Sequence, residues 1–385
     1  MIIRKLTKDD FKQSAEVSAS AYAYDIDDAI FDENVDTFGA FINNGETLIS
    51  QIVCSLRKNF YCGKRIGCAA VGGVASKPEY RRMGGVRATF DTVFEHALKN
   101  GADVSILYPF SIEYYRKFGY ETILRCIRAE CSFKAFDNIE RFHEVTLATE
   151  ENKDILKDIY TDIAKRNNMM FVRDNYENFC FTPYKSCRYT YFVNRKSTNG
   201  YVTFTLDRSA RIINICELLF SNKTALLNLL GFLKTYDGNY DTVNFYKLPL
   251  SSPVFEVLRD ENRFIKRTYI YDGQARILDI ENILNNTVYP EEKGNFTVKI
   301  TDNQVKKNNA IFTVSYENGE GVVYKNITAD YDIALDIPSA TRIILGREGL
   351  TLNEISYIAN TEIVTDCRDF LRAFPKCTTV FYDGF

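Results

Sequence analysis

The chain has 385 residues, of which 45% are hydrophobic and 26% charged, so it holds enough apolar material for two or three separate cores. Its 48 Lys and Arg residues stand against 51 Asp and Glu residues, for a formal net charge of −3. This balance argues against nucleic-acid binding and anionic-membrane binding, which usually require a strongly basic surface. Only two histidines occur, His96 and His143, which excludes a site built on several histidine ligands.

The sequence shows no sign of export or of a membrane span. Residues 1–6 enter an alternating polar and apolar pattern at once and contain no apolar signal core. No apolar run reaches the length of about 18 residues that a spanning helix needs. The ten cysteines form no Cys-x-x-Cys pair, and a chain of this size does not depend on a disulfide framework. We therefore expect a cytoplasmic protein with neither a membrane partner nor a bound metal.

The N-terminal region follows an α/β pattern. A strand over 2–6 and a helix to about Tyr22 precede two predicted strands over Leu48–Leu56 and Arg65–Ser76. An amphipathic helix then leads to a buried strand over Asp103–Tyr108. A strand–helix–strand connection of this length predicts parallel pairing of the two strands that it joins.

The rest of the chain first repeats this pattern and then changes. Strands over Ile212–Phe220 and Tyr240–Lys247 enclose a leucine-rich helix, but no glycine separates the first strand from the helix. We expect this repeat to keep the fold and to lose a ligand site. Short β-runs and short helices follow, which is typical of a small α+β domain. Three domains are therefore predicted, over residues 1–140, 141–280 and 281–385.

The segment most informative about chemistry is the Arg/Gly loop that joins the strand Arg65–Ser76 to the amphipathic helix. Free N–H groups at a helix N-terminus bind anions, and glycines let a ligand approach the backbone closely. Arginines add charge-assisted hydrogen bonds to phosphate oxygens. On these residues alone, a phosphate site and a tight turn with solvated arginines both remain open. The loop consists of Arg81, Arg82, Met83, Gly84, Gly85, Val86 and Arg87.

This loop resembles the acyl-CoA-binding motif of the GCN5-related N-acetyltransferases, Arg/Gln-x-x-Gly-x-Gly/Ala, with Val86 in place of the last Gly or Ala. Downstream, Leu107-Tyr-Pro-Phe110 and Tyr114-Tyr-Arg-Lys-Phe-Gly-Tyr120 are similar to the family's second signature. The combination resembles the enhanced intracellular survival (Eis) branch of that superfamily, and the resemblance extends over the whole chain.

The resemblance implies an α/β (α+β) fold with a catalytic acetyltransferase domain, a degenerate acetyltransferase-like domain and a C-terminal domain similar to sterol carrier proteins. Acetyl-CoA would place its pyrophosphate on the Arg/Gly loop and its pantetheine along Gly73, Val74 and Ala75. Pantetheine amides can pair with strand N–H and C=O groups that are free where two strands diverge. The pair Gly72-Gly73 keeps that backbone accessible, and a bulge or a close packing contact is the alternative explanation.

The resemblance also implies the catalytic residues. Acetyl transfer to an amine requires a base for the amine proton and an acid for the leaving thiolate. The acid corresponds to Tyr115, with the adjacent Tyr114 as its rival among 25 tyrosines. The base corresponds to the C-terminal carboxylate of Phe385, and simple docking of an aromatic tail is the alternative explanation. Residue 384 is Gly where some relatives carry an acidic residue.

Acidic residues elsewhere could supply the missing charge near the acceptor amine. We expect it from Asp383, near the end of the chain, or from Asp25, Asp27 and Asp28 in the acidic segment over residues 25–36. A solvated acidic loop explains that segment equally well, so these residues are not assigned a catalytic role.

The leading hypothesis is an acetyl-CoA-dependent N-acetyltransferase that acts on a primary amine of a polycationic small molecule, aminoglycoside-like or polyamine-like, or on lysine. The alternative is a carrier that binds a lipid or another apolar ligand in the C-terminal domain and keeps the acetyltransferase domains as scaffold or sensor. Eis-like proteins often form hexamers, so the resemblance also implies a homo-oligomer.

Overall fold

The structure is a computed structural model, and it describes residues 1–23, 25–26, 32, 35–179, 188–259, 262–326 and 330–385. The chain divides into two units, each made of segments that are distant in sequence. Unit 1 consists of Met1–Ile123, Gly273–Cys377 and Phe385, and unit 2 consists of Leu124–Asp272 and Thr378–Gly384.

Seventeen strands and ten α-helices occur in these described ranges. The strands are β1 (Ile2–Lys5), β2 (Asp36–Ile42), β3 (Thr47–Tyr61), β4 (Lys64–Ser76), β5 (Val104–Leu107), β6 (Glu121–Ser132), β7 (Thr146–Leu147), β8 (Arg188–Arg195), β9 (Thr198–Asp207), β10 (Ile212–Phe220), β11 (Thr242–Pro249), β12 (Ile265–Ile277), β13 (Gly294–Thr301), β14 (Ala310–Glu317), β15 (Glu320–Asn326), β16 (Ile333–Asp336) and β17 (Thr361–Ile363). The helices are α1 (Phe11–Tyr22), α2 (Gly85–Lys99), α3 (Ile112–Arg116), α4 (Lys153–Ala164), α5 (Lys223–Leu233), α6 (Val254–Val257), α7 (Ile280–Asn286), α8 (Ile337–Ala340), α9 (Leu352–Ser356) and α10 (Arg368–Ala373).

In unit 1, β1 to β5 lie side by side in chain order, and the last residues of β12 pair with β5. The strands β4 and β5 pair in parallel from Cys68 and Val104 to Ala70 and Ile106, as the spacing predicted. This pairing then stops, although β4 continues to Ser76. The two strands therefore diverge, and beyond Ala70 the β5 side of β4 has no ladder partner in the part of the chain that the structure describes.

The helix α2 covers this sheet with the apolar face that its sequence predicts. Phe90, Val93, Phe94 and Ala97 are buried at helical spacing and pack against the core of β3 and β4. Full burial of each of the three larger side chains contributes about 1.5–3 kcal/mol. The helix is thereby fixed with its N-terminus beside the end of β4.

The C-terminal part of unit 1 is a separate five-stranded sheet in the order β15-β14-β13-β16-β17. Aromatic rings pack between this sheet and α10. The ring of Phe296 lies 5.2 Å from that of Phe370 and 5.9 Å from that of Phe374, both edge-on. Such edge-to-face contacts are favourable beyond the area that they bury.

Unit 2 repeats the strand–helix–strand plan within a sheet of order β6-β11-β10-β9-β8-β7. The strands β10 and β11 pair in parallel over four residues, as predicted. The helix between them, α5, is capped by its own chain, because Asn222 Oδ1 accepts a hydrogen bond of 3.0 Å from the N–H of Ala225. An Asn side chain at this position satisfies a donor that a glycine would leave free.

The strands β2, β7, β12, β16 and β17 and the helices α6, α7 and α10 were not among the predicted elements. In β2, four consecutive residues from Phe38 to Phe41 are buried, so the sequence lacks the alternation that marks a half-buried strand. Its first residue, Asp36, belongs to the acidic segment that suggested a loop. Within the strand its carboxylate lies 2.6 Å from His96 Nε2 and also pairs with Lys5.

Candidate active site

A cleft of about 770 Å³ opens in unit 1 between the end of β4, the Arg/Gly loop and α3. Its volume falls in the range of roughly 300–1,000 Å³ that is typical of small-molecule pockets. Arg81, Arg82 and Arg87 lie along one part of its wall, and the aromatic residues Tyr22 and Phe110 also line it. The cleft therefore combines positive charge with apolar surface.

The charged part of the cleft is built on the N-terminus of α2. Gly84 is the N-cap residue and has a left-handed backbone, with φ +84°. It offers no side chain to cap the helix, so the first N–H groups stay available to an anion. At Gly85, a Cβ atom would lie 2.5 Å from Ser50 Oγ. Only glycine therefore lets the helix begin this close to β3.

Val86, the departure from the acyl-CoA motif, is compatible with this loop. It lies within α2, where a side chain needs no glycine-like conformation. Its side chain is half-buried and packs against the core below α2. The next residue, Arg87, lies with its guanidinium carbon 5.7 Å from the ring centroid of Phe118.

The two adjacent glycines of β4, Gly72 and Gly73, have different surroundings, which explain each glycine separately. Gly73 lies at a bulge opposite β3, with φ +53°, and a Cβ atom there would lie 2.5 Å from Val53 Cγ2. A bulge therefore explains Gly73. At Gly72, in contrast, the nearest atom to a Cβ would be the carbonyl oxygen of Phe385, at 3.2 Å.

Phe385 is docked where β4 and β5 diverge. Its ring stacks on that of Tyr108, the residue after β5, with centroids 5.2 Å apart and planes at 21°. Its carboxyl carbon would lie 3.7 Å from a Cβ atom at Gly72 of β4. The carboxyl group of this residue therefore lies beside the strand edge that the divergence leaves open.

Tyr115 is carried by α3. Ser111 caps this helix, because its Oγ accepts a hydrogen bond from the N–H of Tyr114. Its side chain is 3% exposed and packs edge-on against Phe90, Phe110 and Tyr114, with centroids 5.2–6.3 Å away. Tyr114, its rival, is half-buried and lines the cleft. The rings of the two tyrosines are thus perpendicular to each other, and Tyr115 is buried whereas Tyr114 borders the cleft.

The hydroxyl groups distinguish the tyrosines of this motif. The hydroxyl of Tyr120 is buried and lies 2.6 Å from Ser105 Oγ, so it is already engaged. The hydroxyl of Tyr115 has no hydrogen-bond partner among the described residues. Burial raises the pKa of Tyr115, and the neighbouring phenols Tyr22 and Tyr114 raise it further. The Tyr115 phenol therefore keeps its proton at neutral pH.

Comparison with known proteins identifies the domains. Residues 2–123 and residues 166–277 each match an acetyltransferase (GNAT) domain, and residues 280–379 match a sterol carrier protein domain. The chain belongs to the GNAT acetyltransferases. It is an N-acetyltransferase with tandem GNAT domains and a C-terminal sterol-carrier-like domain, as the sequence motifs predicted. No curated protein matches it.

Solved structures share the fold over the full length of this GNAT chain. A GCN5-related N-acetyltransferase from Anabaena variabilis is 17% identical, with a TM-score of 0.83 and 100% coverage of both chains. Eis1 from Mycobacterium abscessus is 17% identical, with a TM-score of 0.80 and the same coverage. A conserved protein of unknown function from Enterococcus faecalis V583 is 20% identical, with a TM-score of 0.80, over 100% of this chain and 99% of that one.

Most of the predicted cofactor-binding residues of this GNAT protein line the cleft. They are Val74, Ala75, Arg81, Arg82, Gly84, Gly85, Val86 and Arg87. Gly73 and Met83 do not line it: Gly73 serves the bulge, and Met83 is 52% exposed. Tyr22 was not among the predicted residues, and its hydroxyl donates a hydrogen bond of 3.3 Å to the carbonyl of Val74. Its place at the end of α1 gave no motif by which to find it.

The expectation that Asp383 provides acidity near the acceptor amine is wrong. Asp383 lies in unit 2, where its carboxylate is buried and pairs with Arg173 at 2.9 Å. Arg173 also pairs with Glu217 at 3.0 Å, so the Asp383 carboxylate belongs to a buried ionic network. Asp25 is described, whereas Asp27 and Asp28 lie outside the described residues. The role expected of the acidic segment stays a prediction.

Within the described ranges, no helix is both long and apolar enough to cross a membrane.

The contact between Gly72 and Phe385 gives a first prediction. In Gly72→Val, the added methyl groups displace the Phe385 carboxyl group by a few tenths of an ångström or more. If this carboxylate is the base that the resemblance implies, acetyl transfer slows by about tenfold, because small misplacements of reacting groups are costly. Turnover and thermal unfolding are measured together. Gly384→Ala is the matched control, since a Cβ there meets no atom of the described residues within 4 Å. A folded Gly72→Val protein with wild-type turnover would contradict the prediction.

Proposed function

We propose that this GNAT protein transfers the acetyl group of acetyl-CoA to a primary amine of a polycationic small molecule, aminoglycoside-like or polyamine-like, or of a lysine side chain. The observation that carries the proposal is the composition of the cleft in unit 1. An arginine-lined helix N-terminus and the free edge of β4 meet there, with the Phe385 carboxyl group beside that edge. These are the groups that a phosphorylated amide-containing cosubstrate and a cationic acceptor need.

The proposed cosubstrate position follows from these groups. The pyrophosphate of acetyl-CoA binds the N–H groups at the start of α2, with charge-assisted hydrogen bonds from Arg82 and Arg87. The pantetheine amides pair with the backbone of Val74 and Ala75 on the free side of β4. The thioester is thereby directed to the place where β4 and β5 diverge.

In the proposed reaction, the carboxylate of Phe385 accepts a proton from the acceptor ammonium, directly or through water. The free amine attacks the thioester carbonyl carbon, and the resulting tetrahedral intermediate collapses by breaking the C–S bond. Tyr115 donates its proton to the leaving thiolate and recovers one from solvent. Its raised pKa keeps this donor protonated between turnovers.

The proposal also includes a homo-oligomer, such as a hexamer, a cytoplasmic location and the domain boundaries 1–140, 141–280 and 281–385. It excludes nucleic acid and membranes as partners and assigns no metal. The alternative, an apolar-ligand carrier, has weaker support. The cavity between Ile343, Ile355 and Phe374 in the C-terminal sheet domain holds about 10 Å³, room for one water molecule at most.

The reaction is tested by release of free thiol from acetyl-CoA against a panel of amines: polyamines, aminoglycosides, lysine and lysine peptides. We expect turnover with at least one polycationic amine and little with a neutral monoamine of similar size, which serves as the control. If acetyl-CoA stabilises the protein thermally and every amine is inert, the proposed acceptor class is wrong. If acetyl-CoA does not bind, the proposed cosubstrate site is wrong, and a co-purified lipid in native mass spectrometry would favour the carrier.

The role of Tyr115 is tested by Tyr115→Phe, with Tyr114→Phe as the matched control. We expect Tyr115→Phe to lower kcat by at least about tenfold and to leave acetyl-CoA affinity intact, because only the proton donor is lost. Tyr114→Phe keeps wild-type kcat. Since the pKa of Tyr115 is raised, its ionisation does not lower the wild-type rate below about pH 10. Equal losses in the two variants would contradict the assignment.

The role of the Phe385 carboxylate is tested by chain length. A protein that ends at Phe385 is compared with the same protein extended by two glycines, which converts the carboxylate into a neutral amide. We expect the extended protein to bind acetyl-CoA and to lose at least about 100-fold in kcat, since the base is removed. Undiminished turnover of the extended, folded protein would rule out this base.

A further inference from the structure

We propose that Arg276 and Asp302, a buried ion pair in unit 1, position the segment that carries Tyr115. Both residues lie outside the first GNAT domain: Arg276 is near the end of β12, and Asp302 follows β13 in the sterol-carrier-like domain. Neither lines the cleft, so they act through other residues rather than on the substrate. The inference rests on the proposed role of Tyr115.

Arg276 binds the backbone just after α3. Its Nη1 donates a hydrogen bond of 2.6 Å to the carbonyl oxygen of Phe118 and another of 2.8 Å to Gln304 Oε1. The carbonyl groups at a helix C-terminus have no partners within the helix, and a positive charge there is favourable. Arg276 therefore fixes the C-terminal end of the short helix that holds Tyr115.

Gly119 shows how closely the guanidinium and this turn fit. It has φ +80°, and a Cβ atom would lie 2.8 Å from Arg276 Nη1 and 3.0 Å from Ile337 Cγ2. The turn also closes on Tyr115 itself, because the N–H groups of Phe118 and Tyr120 both donate to the Tyr115 carbonyl. A shift of the guanidinium would therefore move the backbone of Tyr115.

Asp302 holds Arg276 in one orientation. Its two carboxylate oxygens accept hydrogen bonds of 2.7 and 2.6 Å from Arg276 Nη2. The same oxygens accept further hydrogen bonds of 2.9–3.1 Å from the N–H groups of Gln304 and Val305 and from Asn308 Nδ2. The side chains of Arg276 and Asp302 are 0% and 1% exposed. A buried charge pair is tolerated when its remaining hydrogen-bonding capacity is satisfied, and here the carboxylate is saturated.

A second path runs from Arg276 to Tyr115 through aromatic rings. The guanidinium carbon lies 4.4 Å from the ring centroid of Phe94 on α2. The ring of Phe94 contacts Phe90 at 5.4 Å, and Phe90 contacts Tyr115 edge-on at 6.3 Å. The ion pair therefore supports both the backbone and the ring of Tyr115. This gives the sterol-carrier-like domain a part in acetyl transfer that requires no lipid.

The first test removes both charges in Arg276→Met/Asp302→Asn. The side-chain amide oxygen introduced at position 302 can still accept from the backbone N–H groups, but the carbonyl of Phe118 loses its donor. We expect kcat to fall by about tenfold and the KM for acetyl-CoA to stay within about threefold, since neither substituted residue lines the cleft.

Arg276→Lys is the second variant. It keeps the charge, lacks the planar fork that reaches Asp302 and Phe118 together, and is expected to lose kcat as well.

The decisive measurement repeats both variants in the Tyr115→Phe background. If the ion pair acts by positioning Tyr115, its removal costs less than about threefold in kcat once the hydroxyl is gone. An equal loss in both backgrounds would overturn the inference, as would wild-type kcat in the folded Arg276→Lys protein. If Tyr115→Phe alone has no effect, the proposed role of Tyr115 fails first, and the two failures are thereby distinguished.

Arg347→Met is the control for a general loss of stability. Arg347 is also buried in unit 1, where its Nη2 lies 3.5 Å from the hydroxyl of Tyr61, away from α3. We expect it to lower the Tm and to leave kcat unchanged at temperatures well below the Tm. If it lowers kcat as much as an Arg276 variant of equal Tm, the effect is loss of stability and the inference is wrong.

Discussion

The divergence of β4 and β5 is the constraint on which the rest of unit 1 depends. Parallel pairing that stops at Ala70 and Ile106 leaves strand N–H and C=O groups without ladder partners, and unpaired backbone groups are costly when buried. The structure places a cleft and a docked carboxyl group at this opening. The same divergence directs the end of β4 toward the loop that begins α2. The open edge of β4 thus lies beside both the N-terminus of α2 and the carboxyl group of Phe385.

Charge burial is the second organising feature, and two ion-pair networks illustrate it. Arg276 with Asp302 in unit 1, and Arg173 with Glu217 and Asp383 in unit 2, are ion pairs with almost no exposure. Removing one partner of such a pair leaves a buried charge without compensation, whereas the intact pair fixes a single arrangement of the side chains. In unit 2 the network includes Asp383, near the end of the chain, and in unit 1 the ion pair lies against the turn after α3.

The sequence predicted the features that are local in the chain. The Arg/Gly loop, the face of α2 and the parallel pairing follow from spacing, and the domain families follow from motifs. The pair Arg276–Asp302 was not predictable, because its contact with Phe118 joins residues 158 positions apart and no motif marks it. The strand β2 was missed because burial on both faces removes alternation. Asp383 was misassigned because an aspartate near the end of a chain usually faces solvent.

The two strand–helix–strand repeats use their helix N-termini in opposite ways. In α5 the side-chain oxygen of Asn222 accepts a hydrogen bond from the N–H of Ala225, and so takes the place that an anion could occupy. In α2 the N-cap residue is Gly84, which has no side chain to accept a hydrogen bond from the first N–H groups of the helix. These N–H groups are left for a ligand. A ligand that binds only the folded state adds stability by mass action, about 2.7 kcal/mol at a concentration of 100 times its Kd. If acetyl-CoA binds at α2 as proposed, the stability of the first repeat depends on the concentration of this cosubstrate, whereas the second repeat has no such dependence.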